Sequence, residues 1–172
     1  SGATGSGDRC VDATAGNGFD TLFLAQQVGS DGTVHAMDVQ EDALRITERL
    51  LEHNELRQRV TTHLACHSKF ETVLPQNAKG RIRAITFNLG YLPKGDKSIT
   101  TKKETTLPAI RNAYDWLAKD GVLSILCYRG HPGGKSEEQG VRELIDNANW
   151  KHEEIVGNDS SESPVLHWIE KA

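Results

Sequence analysis

The stretch Asp12-Ala-Thr-Ala-Gly-Asn-Gly18, followed later by Asp38, decides the fold of this chain. Residues 9–12 are predicted to form a strand, the two glycines a tight turn, and a helix begins near Phe19. A second strand over residues 33–37 leads directly into Asp38. Glycines let the backbone turn sharply and approach a ligand, and a carboxylate after the second strand can accept hydrogen bonds from ribose hydroxyls. The pattern predicts a βαβ unit that binds a nucleoside-containing cofactor.

Apolar periodicity alternates between strand and helix along the whole chain. Predicted helices cover residues 19–28, 41–54, 70–74, 103–118 and 136–148, and predicted strands cover residues 9–12, 33–37, 60–64, 82–88, 122–128, 150–156 and 164–170. Five βα units and a final hairpin predict an α/β fold. We expect a Rossmann-like three-layer sandwich with a mostly parallel seven-stranded sheet and a C-terminal antiparallel hairpin.

Two helix faces carry specific burial expectations. The first helix is predicted to bury Leu22, Phe23 and Val28, and the last is predicted to include Ala148 in its apolar face. Residues 8–172 are expected to form a single domain. Residues 1–7 are expected to be a flexible lead-in, a trimmed terminus or an engineered remnant.

Composition describes an ordinary globular protein that works in a reducing compartment. Of its 172 residues, 37% are hydrophobic and 26% charged, with a net charge of -4. Neither an apolar run long enough for a membrane span nor a signal peptide is visible, so we expect a cytoplasmic protein with no membrane partner. The three cysteines are far apart and lack a Cys-x-x-Cys spacing, so we expect small core residues. No metal site is predicted.

The residues around the glycine turn favour S-adenosylmethionine over a dinucleotide. A nicotinamide fingerprint needs a third glycine, where this chain has Thr21, and no Gly-Lys-Ser/Thr follows to make a phosphate-binding Walker loop. S-adenosylmethionine carries an ammonium, which suits the carboxylate of Asp12 or Asp20, and a carboxylate, which suits the N–H groups of the turn. Asp38 would bind the ribose, with Gln40 beside it. A purely structural glycine turn is the alternative.

The loop after the third strand is the expected neighbour of the adenine. His67 or Ser68 could donate a hydrogen bond to the base, although either could equally cap the loop. The predicted cofactor-binding residues are Asp12, Ala13, Thr14, Gly16, Asn17, Gly18, Asp20, Thr21, Asp38, Gln40, His67, Ser68, Asn88 and Leu89.

The motif Asn88-Leu-Gly-Tyr-Leu-Pro93 follows the buried fourth strand. It resembles the Asn/Asp-Pro-Pro-Tyr/Phe motif of amino methyltransferases, with Leu89 and Gly90 in place of the prolines. A nitrogen nucleophile must be neutral and must aim its lone pair at the methyl group, so an amide oxygen and a backbone carbonyl can accept its N–H bonds. Tyr91 can stack on a base. Asn88 and Tyr91 are thus the predicted catalytic residues; the alternative is a strand cap and a core tyrosine.

Basic residues follow the fourth and fifth strands, and the two loops that carry them should border the same opening of the ligand site. They are Lys94, Lys97, Lys102, Lys103, Arg129, His131 and Lys135. A phosphate footprint for RNA and an ordinary solvated surface are both open interpretations. For His131 the alternatives are a general base, a phosphate contact and a loop-fixing residue, and we expect one of the last two because inversion at a methyl group needs little acid–base help. The predicted substrate-binding residues are Gly90, Tyr91, Lys94, Lys97, Arg129 and His131.

Taken together, the turn, the Met37-Asp-Val-Gln40 segment, the Asn88 motif with the residues after it and the Gly130-His-Pro-Gly-Gly134 segment resemble one small family. It is the stand-alone class I methyltransferases known as rRNA methylases, which includes the tRNA 5-(aminomethyl)-2-thiouridine methyltransferase of bacteria and similar plant proteins. The resemblance spans residue 8 to the last strand. It departs at the amino end, where family members carry a helix before the first strand.

This resemblance implies S-adenosylmethionine as methyl donor, with S-adenosylhomocysteine as product. The implied acceptor is the 5-aminomethyl nitrogen of the wobble uridine in the tRNA anticodon region, and the product is the methylaminomethyl form. A homodimer, and a plastid location for a plant protein, also follow from it. The open alternatives are methylation of an rRNA base or a small-molecule amine, a nucleotide-binding oxidoreductase, and a non-catalytic RNA-binding module.

Overall fold

The computed structural model describes residues 4–91, 98–158 and 160–172. Within them, five helices and seven strands occur in the predicted order. The strands are β1 (Arg9–Asp12), β2 (Thr33–Asp38), β3 (Val60–Leu64), β4 (Ile82–Leu89), β5 (Leu117–Cys127), β6 (His152–Val156) and β7 (Val165–Glu170). The helices are α1 (Phe19–Gln27), α2 (Glu41–His53), α3 (Phe70–Val73), α4 (Lys103–Trp116) and α5 (Gly134–Ala148).

All seven strands form one sheet in the order β3-β2-β1-β4-β5-β7-β6. Strands β1 to β5 run parallel, and β7 is antiparallel to both β5 and β6. The strand order reverses between β1 and β4, where a ligand crevice is expected in sheets of this kind. The predicted fold class is therefore confirmed, including the C-terminal antiparallel hairpin.

Two separate apolar clusters cover the two faces of the sheet and make the sandwich three-layered. On one face, Leu24 of α1 and Leu51 of α2 pack with the strands. On the other face, Phe70 of α3, Trp116 of α4 and Ile145 of α5 do so. The central strands are therefore covered on both sides, which explains the nearly continuous apolar run in β4.

The buried stripe of α1 differs from the predicted one. Thr21, Leu24 and Ala25 are its buried residues, whereas Leu22 is half-buried and Phe23 is 57% exposed. The prediction for Phe23 was wrong because the inward stripe follows positions 21, 24, 25 and 28, one residue away from the assumed register. Ala148 is likewise exposed at the last turn of α5.

The junction between α4 and β5 also differs from the prediction. The helix ends at Trp116 and the strand begins at Leu117, with Asp120 at a positive φ of 59° and an irregular register opposite β4. The Asp120 N–H donates to the Lys171 carbonyl at 2.9 Å. The turn signal Lys119-Asp-Gly121 is thus a kink within one strand.

No helix in the described part of the chain combines the length and the apolar character that crossing a membrane requires.

Candidate active site

A cleft of about 820 Å³ opens at the carboxyl ends of the parallel strands, over the point where the strand order reverses. Its volume lies within the range of small-molecule and cofactor sites. The predicted residues that line it are Ala13, Thr14, Gly16, Asn17, Asp20, Asp38, Gln40, His67, Asn88, Gly90, Tyr91 and His131. Residues predicted from the segments after five different strands therefore meet at one place.

Asp38 ties the glycine turn to the end of β2. One of its carboxylate oxygens accepts a hydrogen bond from the Gly16 N–H and the other accepts one from the Gln40 N–H, both at 2.9 Å. The carboxylate is only partly buried and lines the cleft. Because a carboxylate has about four acceptor positions, two protein contacts leave capacity for ribose hydroxyls.

Gly18 has a structural task at the start of α1. It is the N-cap residue with a φ of 82°, and a Cβ built on it would lie 2.8 Å from the Cα of Thr47 in α2. The absence of a side chain therefore lets the turn pack directly on α2. Gly18 is not among the described residues that line the cleft.

Asp12 and Thr21 form a buried pair behind the turn. The Thr21 hydroxyl donates to one Asp12 oxygen at 2.6 Å, and the Thr14 N–H donates to the other at 3.1 Å. Both side chains are fully buried and neither lines the cleft. Burial raises the pKa of Asp12 to about 7, and the nearby Asp20 and Asp38 carboxylates add to that rise. Thr21 thus stands in place of a third glycine because its hydroxyl satisfies this acid.

Asn88 links the end of β4 to the glycine turn and to α1. Its backbone N–H donates to the Thr14 hydroxyl at 2.6 Å, and its side-chain Nδ2 donates to Asp20 Oδ2. Asp20, on the first turn of α1, thus fixes the Asn88 side chain, and Thr14, on the glycine turn, fixes the Asn88 backbone. The next residue, Leu89, is buried in the core and is not among the residues lining the cleft.

His67 lies in the cleft wall on the opposite side. It is 6% exposed, and burial lowers its pKa to about 4, so its ring is neutral. Its Nε2 is 3.5 Å from the Thr106 hydroxyl, which donates to the buried Glu137 carboxylate at 2.6 Å. The Ser68 hydroxyl instead donates to Cys66 Sγ at 3.2 Å, and Ser68 does not line the cleft in the described structure.

The outer part of the cleft is aromatic. Tyr91 is 38% exposed, and its ring meets the His131 ring edge-on with the centroids 5.8 Å apart. The exposure of Tyr91 disagrees with the core alternative for that residue. His131 Nδ1 is 3.1 Å from the Pro132 carbonyl, and its buried Nε2 has no hydrogen-bond partner in the part of the chain that the structure describes.

The two loops that were expected to border one mouth do so. Tyr91 and Thr100, after β4, and Tyr128 and His131, after β5, all line the cleft. The predicted basic residues do not all line this opening. Arg129 instead donates to the backbone carbonyls of Ser163 and Ser160. Arg129 lies at a smaller neighbouring pocket. The predicted Lys94 and Lys97 lie outside the described residues.

Sequence reasoning missed the other residues of the cleft wall, most of which are apolar or small. These are Ala15, Phe19, Val39, Ala65, Cys66, Ile99, Thr100, Thr101, Thr105, Leu126, Tyr128, Gly130 and Glu162. Phe19 is 70% exposed and Val39 is 53% exposed, directly after Gly18 and Asp38. An apolar residue immediately after the glycine turn, or after the acid that ends the second strand, is the signal that could have identified both.

A mostly parallel seven-stranded sheet, a glycine turn after β1, an acid after β2 and a reversed strand beside β5 define a class I methyltransferase fold. A family model described as "Putative rRNA methylase" matches residues 34–168. The chain belongs to this rRNA methylase family.

Individual relatives agree with that assignment. A "putative rRNA-methylase" from Clostridium thermocellum is 35% identical, with a TM-score of 0.91 over 98% of this chain and 91% of that one. A "putative methyltransferase" from Streptococcus mutans, solved in complex with SAH, is 31% identical, with a TM-score of 0.85 over 98% of this chain and 91% of that one.

A curated relative is longer than this chain. The chloroplastic tRNA (mnm(5)s(2)U34)-methyltransferase of Arabidopsis thaliana is 44% identical over 171 residues, or 95% of this chain. The chain spans 56% of that relative's length.

Gly18→Ala should destabilise the protein more than Gly80→Ala. Both glycines have a positive φ, at 82° and 73°, so both substitutions carry a backbone cost of about 1–2 kcal/mol. Only at Gly18 does the new Cβ meet backbone, whereas nothing lies within 4 Å at Gly80. Urea unfolding of the two variants should therefore differ by about 1–3 kcal/mol. Equal losses would contradict the packing role of Gly18.

Asp12→Asn should change how stability depends on pH. The folded-state pKa of Asp12 is raised above its unfolded value, so its ionisation destabilises the fold as pH rises from about 4 to about 7. Relative to the native protein, the free energy of unfolding of the variant should therefore rise across that window by as much as a few kcal/mol. Chemical unfolding at several pH values measures this difference. Asp31→Asn, at an exposed acid, is the control and should follow the native curve.

Proposed function

We propose that this protein transfers a methyl group from S-adenosylmethionine to the 5-aminomethyl nitrogen of a wobble (thio)uridine in tRNA. The product is the methylaminomethyl nucleoside. The observation that carries the proposal is the Asn88–Asp20 hydrogen bond, which puts an oriented amide beside the glycine turn in one cleft.

The cleft offers a donor and acceptor set that fits the cofactor. Asp20, rather than the enclosed Asp12, lines the cleft and suits the ammonium, while the turn around Gly16 presents backbone N–H groups to a carboxylate. Asp38 suits the ribose, and Val39 offers an apolar surface for the adenine. When bound, the cofactor supplies an electrophilic methyl group on a positively charged sulfur.

Asn88 positions the acceptor nitrogen. Because Nδ2 donates to Asp20, Oδ1 is the atom of that amide that can accept a hydrogen bond from an amine. An amine held in this way keeps its lone pair directed into the cleft, which is the orientation that in-line displacement needs. The exposed Tyr91 ring gives the uridine base a stacking surface.

Among the general base, the phosphate contact and the loop-fixing residue, the geometry of His131 supports the loop-fixing role. An Nδ1–H bond to the Pro132 carbonyl selects the tautomer whose Nε2 is an acceptor, and that atom is buried without a partner among the described residues. The ring is held between Gly90 and Gly134, where it supports the edge-on ring of Tyr91.

The substrate assignment draws on the Arabidopsis relative, whose name specifies a tRNA wobble-position methyltransferase. Asn88 and the aromatic rings of Tyr91 and His131 fit a single splayed-out base with an alkyl amine. We infer the anticodon region as the binding partner, a homodimer as the assembly, and the cytoplasm, or a plastid in a plant, as the compartment.

Asn88→Ala should abolish methyl transfer and leave S-adenosylhomocysteine binding within about threefold of the native value. The substitution removes the acceptor oxygen and the hydrogen bond to Asp20, but it leaves the Asp20 and Asp38 carboxylates and the turn in place to bind the cofactor. The measurements are methylation of aminomethyl-containing tRNA and calorimetric titration with S-adenosylhomocysteine. Asn77→Ala, in the turn before β4, is the matched control and should keep full activity. Full activity of Asn88→Ala would overturn the assigned role.

Mass spectrometry of tRNA nucleosides should identify the substrate. Cells that lack the protein should lose the methylaminomethyl nucleoside and accumulate its aminomethyl precursor, because no other step in the proposal consumes that amine. Native protein should restore the product, and Asn88→Ala should not. An unchanged tRNA profile together with a lost rRNA methyl group would assign the activity to rRNA instead.

A further inference from the structure

Three potential metal ligands meet on the C-terminal hairpin, away from the cleft. His152 and Glu154 lie two residues apart on β6 and therefore share a face, and Glu154 pairs with His167 of β7 in the sheet register. One ligand atom from each residue lies within 4.8 Å of the others. None of the three lines the cleft described above.

His167 is oriented for metal binding by a neighbouring carboxylate. Its side chain is fully buried, and its Nε2 lies 3.3 Å from Oε1 of Glu138, a residue of α5 whose side chain is 8% exposed. With the ring proton on Nε2, the Nδ1 lone pair faces Glu154 Oε2 at 4.0 Å. Nδ1 has no hydrogen-bond partner among the described residues. A carboxylate that holds one ring nitrogen while the other faces a ligand cluster is the usual outer-sphere arrangement of histidine metal sites.

The structure assigns this cluster, as we propose, to a divalent transition-metal cation, with Zn²⁺ the best match. Two imidazoles and one carboxylate are the ligand types that Zn²⁺ takes at about 2.0–2.2 Å, with water in the remaining position. Tetrahedral ligands at that distance are about 3.3 Å apart, so separations of up to 4.8 Å must shorten by as much as about 1.5 Å. The half-buried His152, on the outermost strand, can make that movement.

Arg142 contacts the same carboxylates and therefore competes with a cation for Glu154. It forms ion pairs with both Glu138 and Glu154. Its Nη1 contacts Glu154 Oε2, the oxygen that faces His167, and its Nη2 contacts Oε1 at 3.1 Å. Oε2 must therefore exchange its Nη1 contact for the cation, while the Nη2–Oε1 contact remains. The bound cation would link β6 to β7 and, through Glu138, to α5, which stabilises the edge of the sheet. The inference stands independently of the proposed methyl transfer.

The test is zinc binding by chelator-treated full-length protein. Calorimetric titration with ZnCl₂ should show one site and a rise in melting temperature, and His152→Gln or Glu154→Gln should weaken binding by at least about tenfold. These residues are preferred because His167 is enclosed and its substitution also threatens folding. His63→Gln is the matched control: it removes one partner of the 3.0 Å His35–His63 pair and should bind zinc like the native protein.

Cobalt distinguishes this site from the cysteines. Co²⁺ should give the visible bands of nitrogen and oxygen ligands without a thiolate charge-transfer band, because Cys10, Cys66 and Cys127 are not part of the cluster. Absence of binding at about 100 µM zinc, equal affinity in His152→Gln, or a thiolate band would each overturn the proposal.

Discussion

The buried carboxylate of Asp12 is the constraint on which the site depends. An acid enclosed in the core is costly unless its oxygens are hydrogen-bonded, and here the Thr14 N–H and the Thr21 hydroxyl satisfy them. Those two bonds fix both ends of the glycine turn against β1. The turn then presents Gly16 to Asp38, and Thr14 to Asn88. One buried group thereby sets the relative positions of three strand ends.

Much of the fold could be predicted because its signals are local. Strand β3 agrees with its predicted bounds, and α1 begins at the predicted residue, because apolar periodicity and glycine turns depend on neighbouring residues alone. The errors arose where tertiary contacts decide. The Lys119-Asp-Gly121 segment is a turn by composition, yet its pairing with the last residues of the chain keeps it inside β5.

The segments that form the candidate site could be predicted, but which of their residues face the cleft and which support it from behind could not. Spacing brought Asp12, Gly18 and Thr21 into the predicted ligand set, although all three act from behind the cleft wall. Which of two acids faces a ligand depends on side-chain direction within the folded turn, and sequence spacing does not contain that information. The cleft-lining Phe19 and Val39 were missed because an exposed apolar residue has no periodic signature.

The hydrogen bond between Asn88 and Asp20 has a thermodynamic consequence. A cation that draws on the Asp20 carboxylate weakens its hold on the Asn88 amide, and a ligand that reorients that amide changes what Asp20 offers the cation. Two binding equilibria that share one hydrogen bond cannot be independent, and their coupling free energy has the same value in both directions. With the cofactor at Asp20 and the acceptor amine at Asn88, as proposed, the cleft would act as a single cooperative unit with two linked compartments.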